Sequence, residues 1–176
     1  MNKNMELQEE YLKTEKEEKY YTFEDLRTII KELRAETGCP WDRRQTHGSL
    51  TLCMLEEAAE SVSGIKLYEK TNNPDNMKEE LGDLLMQVVM HAQIAEEEGL
   101  FTLEDVICQI SQKMVRRHPH VFEPDGTPLH GKEPDPENLK SWQEIKEEEK
   151  RQQTFSESPH KKKLRKLFVR IFEKLL

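Results

Sequence analysis

Apolar residues recur along this chain at intervals of three and four, the period of helices that bury one stripe. Leu26, Ile29, Ile30 and Leu33 form the first stripe, and Thr22 with Asp25 three positions later supplies a reciprocal cap that opens a helix running to about Glu36. Gly38-Cys39-Pro40-Trp41-Asp42 interrupts the pattern and reads as a structured loop, because proline disfavours helical geometry in the residue before it. A second helix is predicted from about Ser49 to Lys70, with Leu52, Leu55, Ala58, Ala59, Val62 and Ile65 as its apolar face. Asn72-Asn73-Pro74 ends it; Asn73 is placed to cap the next helix, with Pro74 at its first position. That helix carries Met77, Leu81, Leu84, Leu85, Val88 and Ala92 as far as about Glu98, where Gly99 stops it. Thr102 and Asp105 open a fourth helix, which Pro119 ends near Arg117. Residues 123–136 read as a loop and the surroundings of Trp142 as a short helix.

The pattern contains no run of alternating strand character, so the fold class is all-α, a helical bundle built on an antiparallel helix pair. Residues 21–152 read as one domain, after a polar lead-in over 1–20 and before a basic amphipathic tail over 153–176.

Composition narrows the functional classes. Charged residues make up 35% of the chain and its formal net charge is -8, which argues against stable, sequence-independent binding to nucleic acid. Cys39, Cys53 and Cys108 form no Cys-x-x-Cys pair and suggest neither a disulfide framework nor a thiolate zinc site. With no export signal or membrane span in the pattern, a cytoplasmic location is expected.

The chemistry sits in the acids of the two central helices. Glu57 and Glu60 lie three residues apart on the second helix, hence on one face, and Glu80 and Asp83 repeat the spacing on the third. A short connection makes these helices antiparallel neighbours, and Glu60 and Asp83 both fall about ten residues, or roughly 15 Å, from the turn. Glu-x-x-Glu alone is common on solvated helices; matched pairs at matched heights are not. Converging carboxylates repel unless they take up protons or a cation, and oxygen-only ligation selects Mg2+ or Mn2+ over softer ions.

Lys113, Arg116 and Arg117 present cations near the end of the fourth helix, where they complement the helix dipole and suit phosphate oxygens. His118 and His120 are more readily explained as structural groups at that helix end. Trp41 and Trp142 lie outside the apolar stripes and could stack on a base or close the edge of the core.

Cys-Pro-Trp-Asp from Cys39, Leu-Glu-Glu-Ala-Ala-Glu from Leu55, Glu-Leu-Gly-Asp-Leu-Leu from Glu80, Arg-Arg-His-Pro-His-Val-Phe from Arg116 and Trp-Gln-Glu-Ile-Lys from Trp142 together resemble the MazG family of nucleoside triphosphate pyrophosphohydrolases. The resemblance runs from about Thr22 to Lys150. It implies a magnesium-bound bundle, commonly a homodimer, that converts nucleoside triphosphates to monophosphate and pyrophosphate with a metal-activated water. It also implies metal binding by Glu57, Glu60, Glu80 and Asp83, phosphate contacts from Lys113 and Arg117, and a base or ribose contact from Trp142. Glu56 would support the ligands or orient the water. Longer family members carry two such domains in tandem, whereas this chain shows one.

A catalytically silent nucleotide-binding sensor or scaffold is the alternative, and the intact set of acids favours the enzyme. The tail stripe of Leu164, Leu167, Phe168, Ile171, Phe172 and Leu175, with its lysines and arginines elsewhere around the helix, could dock on a subunit or touch an anionic membrane. Docking is the favoured reading, because an exposed stripe of this kind promotes aggregation.

Overall fold

The computed structural model describes residues 19–130, together with Glu144, Ile145, Glu147, Arg151, Lys163, Lys166, Leu167, Phe168 and Arg170. The chain divides into two compact units, Met1–Cys108 and Gln109–Leu176.

The first unit is built from helices whose ends follow local chemistry. Helix α1 spans Phe23–Arg34. Its cap is reciprocal: Thr22 Oγ1 accepts from the Asp25 amide, and Asp25 Oδ2 accepts from the Thr22 amide at 2.9 Å. Helix α2 is a single turn, Pro40–Arg43, where a loop was expected. Cys39 is extended at φ -76°, ψ 120°, as the residue before proline should be, while Pro40 itself has the fixed φ suited to a first helical position. Both consequences of the proline are realised, one on each side of its peptide bond.

Helix α3 spans Thr51–Thr71 and helix α4 spans Asp75–Glu97. Between them Asn72 is left-handed at φ 57°, a conformation asparagine tolerates. Asn73 Oδ1 accepts from the Asp75 amide at 2.9 Å, and Pro74, at φ -84°, ψ -5°, itself holds the cap position one residue before the helix, where Asn73 was expected to cap and Pro74 to be the first helical residue. At the far end Gly99 adopts φ +68°. The Leu100 amide reaches back to Ala95 O and the Gly99 amide to Glu96 O, closing the last turn in the way a left-handed glycine permits. Helix α5, Leu103–Arg117, starts at the reciprocal cap of Thr102 and Asp105.

The two long helices α3 and α4 share the most extensive contact in the fold, and α1 packs on α4 and on α2. Thus the antiparallel pair is the scaffold. The core lies toward the C-terminal half of α4, where Val89, Met90, Ala92 and Ile94 meet Ile30, Leu50 and Leu103. Arg34 is buried beside it and ties three segments together. Its guanidinium donates to Glu97 at 2.7 and 2.9 Å and to the carbonyls of Asp42 and Gln45 at 2.6 and 3.2 Å.

The rest of α3 and α4 departs from the expected burial. The buried residues of α3 are Ser61 and Gly64 rather than its large apolar side chains, and Leu52 is 70% exposed. Ile65, Leu81 and Leu85 are exposed as well. The helices approach closely at Ser61 and Gly64, while Leu55, Val62, Leu84 and Val88 are half-buried.

The part of α5 beyond Cys108 belongs to the second unit. There His118 Nδ1 lies 2.6 Å from Met114 O, and the chain turns through an isolated antiparallel bridge between Phe122 and Pro128. His118 therefore has the structural partner expected of a histidine at a helix end. Among the described residues there is no strand, in keeping with an all-α fold. No described helix is long and apolar enough to cross a membrane. Trp142, most of the short helix around it and most of the C-terminal stripe lie outside the described residues.

Candidate metal centre

Glu57 and Glu60 occupy one face of α3, and Glu80 and Asp83 the facing side of α4. The structure brings carboxylate oxygens of Glu57, Glu60 and Glu80 within 4.8 Å of one another. Asp83 stands outside this closest trio but acts on Glu57 more strongly than any other neighbouring charge. Helix register explains the division. The Ser61 hydroxyl donates to the Glu80 carbonyl at 3.0 Å, which sets Glu80 beside the residue that follows Glu60. The simple count of residues from the turn, which paired Glu60 with Asp83, is displaced by this contact.

Burial of the four is partial. Glu57, Glu80 and Asp83 are half-buried, whereas Glu60 is exposed. The site is thus shallower than a position among leucines and alanines suggested, since Leu81 and Leu85 themselves face outward. It is nevertheless strained electrostatically. Burial first, and then the charges of Asp83, Glu60, Glu80 and Glu56, raise the Glu57 carboxyl above the ordinary carboxylate range. A raised proton affinity in a cluster with no basic contributor marks a place where a cation would be welcome.

The donor set fits a hard divalent ion. All the converging atoms are carboxylate oxygens, and oxygens bound to one magnesium at about 2.0–2.1 Å lie roughly 3–4 Å apart, so small side-chain adjustments suffice. Neither sulfur nor imidazole enters the cluster, which makes zinc and copper poor candidates.

The MazG nucleotide pyrophosphohydrolase domain family matches residues 45–122, a span that contains all four acids and both helices holding them. The chain carries a MazG domain. Over 128 residues it is 49% identical to the nucleoside triphosphate pyrophosphohydrolase/pyrophosphatase MazG of Thermotoga maritima, an overlap of 73% of this chain and 45% of that protein. It is 43% identical over 128 residues to the nucleoside triphosphate pyrophosphohydrolase of Escherichia coli K12, with 72% of this chain and 45% of that protein covered. Over 142 residues it is 48% identical to the uncharacterized protein YabN of Bacillus subtilis, covering 80% of this chain and 27% of YabN. The chain therefore spans less than half the length of these relatives.

The other expected site residues of the MazG domain are distributed as follows. Glu56 precedes Glu57 on α3, is exposed, and contributes the weakest of the four charge effects on it. Lys113, Arg116 and Arg117 lie on the segment of α5 in the second unit, with Lys113 and Arg117 half-buried and Arg116 exposed. Trp41 is 58% exposed on α2 and takes no part in the core.

Sequence reasoning missed the neutral residues that hold the acids. Asn76 Nδ2 donates to Glu80 Oε1 at 2.9 Å, one helical turn before it. The spacing of four was present in the sequence, yet an asparagine in the first turn of a helix is easily read as an end signal alone. It also missed a histidine pair: His47 Nδ1 and His91 Nδ1 lie 2.8 Å apart with their rings nearly parallel, joining the segment before α3 to α4. No local pattern links positions 44 residues apart.

Proposed function

We propose that the MazG domain hydrolyses nucleoside triphosphates to nucleoside monophosphate and pyrophosphate, using Mg2+, or Mn2+ in its place, held by Glu57, Glu60, Glu80 and Asp83. The observation that carries this reading is the convergence of three carboxylates from two helices within 4.8 Å, with the Glu57 carboxyl raised by burial and then by its neighbours' charges. The activity for which the Thermotoga and Escherichia relatives are named supports the same reaction. When bound, a divalent ion would supply charge to polarise the phosphoryl group and acidify a water.

The chain's own residues divide the remaining work. The acids hold the ion, and exposed Glu56 is the group proposed to orient the attacking water. Lys113, Arg116 and Arg117 are proposed to take phosphate oxygens, and Trp142 to contact the base or ribose. No covalent nucleophile is needed. Clearance of noncanonical nucleotides or control of nucleotide pools in the cytoplasm is the proposed role.

A homodimer is part of the proposal. Leu52 and Ile65 of α3 and Leu81 and Leu85 of α4 are exposed apolar side chains on the helices that carry the acids, and a second copy is proposed to cover some of them. The C-terminal stripe is proposed to dock on a subunit rather than a membrane. Nothing in the proposal calls for stable binding to nucleic acid.

Release of pyrophosphate from a panel of canonical and altered nucleoside triphosphates, measured with Mg2+, with Mn2+ and with EDTA, tests the reading. Metal-dependent pyrophosphate and monophosphate production from at least one member is expected. Binding of nucleotides without turnover under all metal conditions would instead support a silent sensor.

A further inference from the structure

The assignment of the carboxylates as a cation site leaves open what keeps them in position, and Glu80 is held differently from the others. Among the described residues it is the one acid of the four whose carboxylate accepts a side-chain hydrogen bond, from Asn76 Nδ2 at 2.9 Å. Its main chain is held as well, through the Ser61 hydroxyl on its carbonyl oxygen, and Ser61 is buried. One end of Glu80 is thereby fixed by α3 and the other by Asn76.

Asn76 is in turn confined. A methyl group placed on Gly64 would come within 3.3 Å of Asn76 Oδ1 and 3.0 Å of Met77 Cα. The missing side chain at Gly64 therefore creates the slot in which the first turn of α4 and the Asn76 amide lie against α3. Glutamate is a flexible side chain, and ordering it on an ion costs rotamer entropy that a pre-formed hydrogen bond has already removed. A neutral amide does this without adding a positive charge that would oppose the cation. It occupies Oε1 and leaves Oε2 available to the ion.

We propose that Asn76 is a positioning residue for the cation site, orienting the Glu80 carboxylate from the slot left open by Gly64. The inference rests on the carboxylate assignment and goes beyond it in giving a role to a residue that need touch neither ion nor nucleotide. Partners of this kind behind metal ligands typically alter metal affinity by about 10- to 100-fold when removed.

The test uses the full chain and Mn2+ alone, with binding followed by electron paramagnetic resonance in the absence of nucleotide. Asn76→Leu keeps the volume and removes the donor, and Asn76→Gln keeps an amide able to reach the residue one turn on. Asn76→Leu should weaken Mn2+ binding by about 10-fold, with a metal-free melting temperature close to wild type, and Asn76→Gln should recover most of the loss. Wild-type affinity in Asn76→Leu would overturn the positioning role while leaving the carboxylate site standing. The role would also fall if Asn76→Gln bound Mn2+ as weakly as Asn76→Leu. Absence of saturable Mn2+ binding in the wild type would overturn both, and Glu60→Gln in the same assay separates the two failures, because it should lose affinity whatever Asn76 does.

Discussion

Replacing Glu60 by glutamine should abolish turnover and stabilise the metal-free protein. The amide keeps the shape of the side chain but removes one negative charge from a group whose oxygens lie within 4.8 Å of those of Glu57 and Glu80. At that distance two unit charges repel by about 0.9 kcal/mol in bulk water and about 3.5 kcal/mol at an effective dielectric constant of 20. Glu60 is exposed, so the smaller figure governs. Two such pairs amount to about 1–2 kcal/mol at low ionic strength, or a rise of about 2–8 °C in melting temperature for a chain of this size. Salt should reduce the gain, since the Debye length at about 0.15 M is only about 8 Å. Magnesium should reverse the order. Bound to the folded wild type and not to its unfolded chain, it contributes about 2.7 kcal/mol at a hundredfold excess over Kd, and the variant should lose most of that. Thermal melts of wild type, Glu60→Gln and Asp83→Asn in EDTA and in saturating magnesium provide the assay. A magnesium shift of undiminished size in both variants would refute the carboxylate site; a metal-free variant less stable than wild type would refute the repulsion argument.

Three further outcomes are expected. Arg34→Met should cost about 3–5 kcal/mol of stability by urea denaturation, because it leaves the carbonyls of Asp42 and Gln45 and the Glu97 carboxylate without their shared partner. Burial, and then the neighbouring His47, hold His91 below the ordinary histidine value, so the unfolded chain takes up a proton that the folded one resists. Stability should therefore be complete above about pH 6.5 and decline as pH falls below it, by no more than about 1.4 kcal/mol per pH unit for this proton, and denaturation of His91→Phe between pH 5 and 8 should show the decline reduced. Arg117→Ala should lower kcat/KM for nucleoside triphosphates by about 10- to 100-fold, the value of a charge-assisted phosphate contact, with a much smaller change in melting temperature. Equal kcat/KM in the two proteins would remove Arg117 from the phosphate site.

The sequence by itself determined the features that local chemistry sets within a turn or two. Thr22 with Asp25 and Thr102 with Asp105 started helices where they stand, because both halves of each cap lie three residues apart. Gly99 ended α4 by its freedom to adopt a positive φ. The acids of α3 and α4 were legible for the same reason, since a spacing of three puts two carboxylates on one helical face whatever surrounds them. Only the tertiary structure decided how the two faces meet. Ser61 on the Glu80 carbonyl and Gly64 against Met77 set the register, which selected Glu57, Glu60 and Glu80 as the closest trio and left Asp83 to act on Glu57 from beside it. The tertiary structure also left Leu52, Ile65, Leu81 and Leu85 exposed, although their periodicity is that of a buried stripe. Periodicity specifies that a face is apolar; which surface covers it depends on partners distant in sequence, as do the contacts of Arg34 with Glu97 and of His47 with His91.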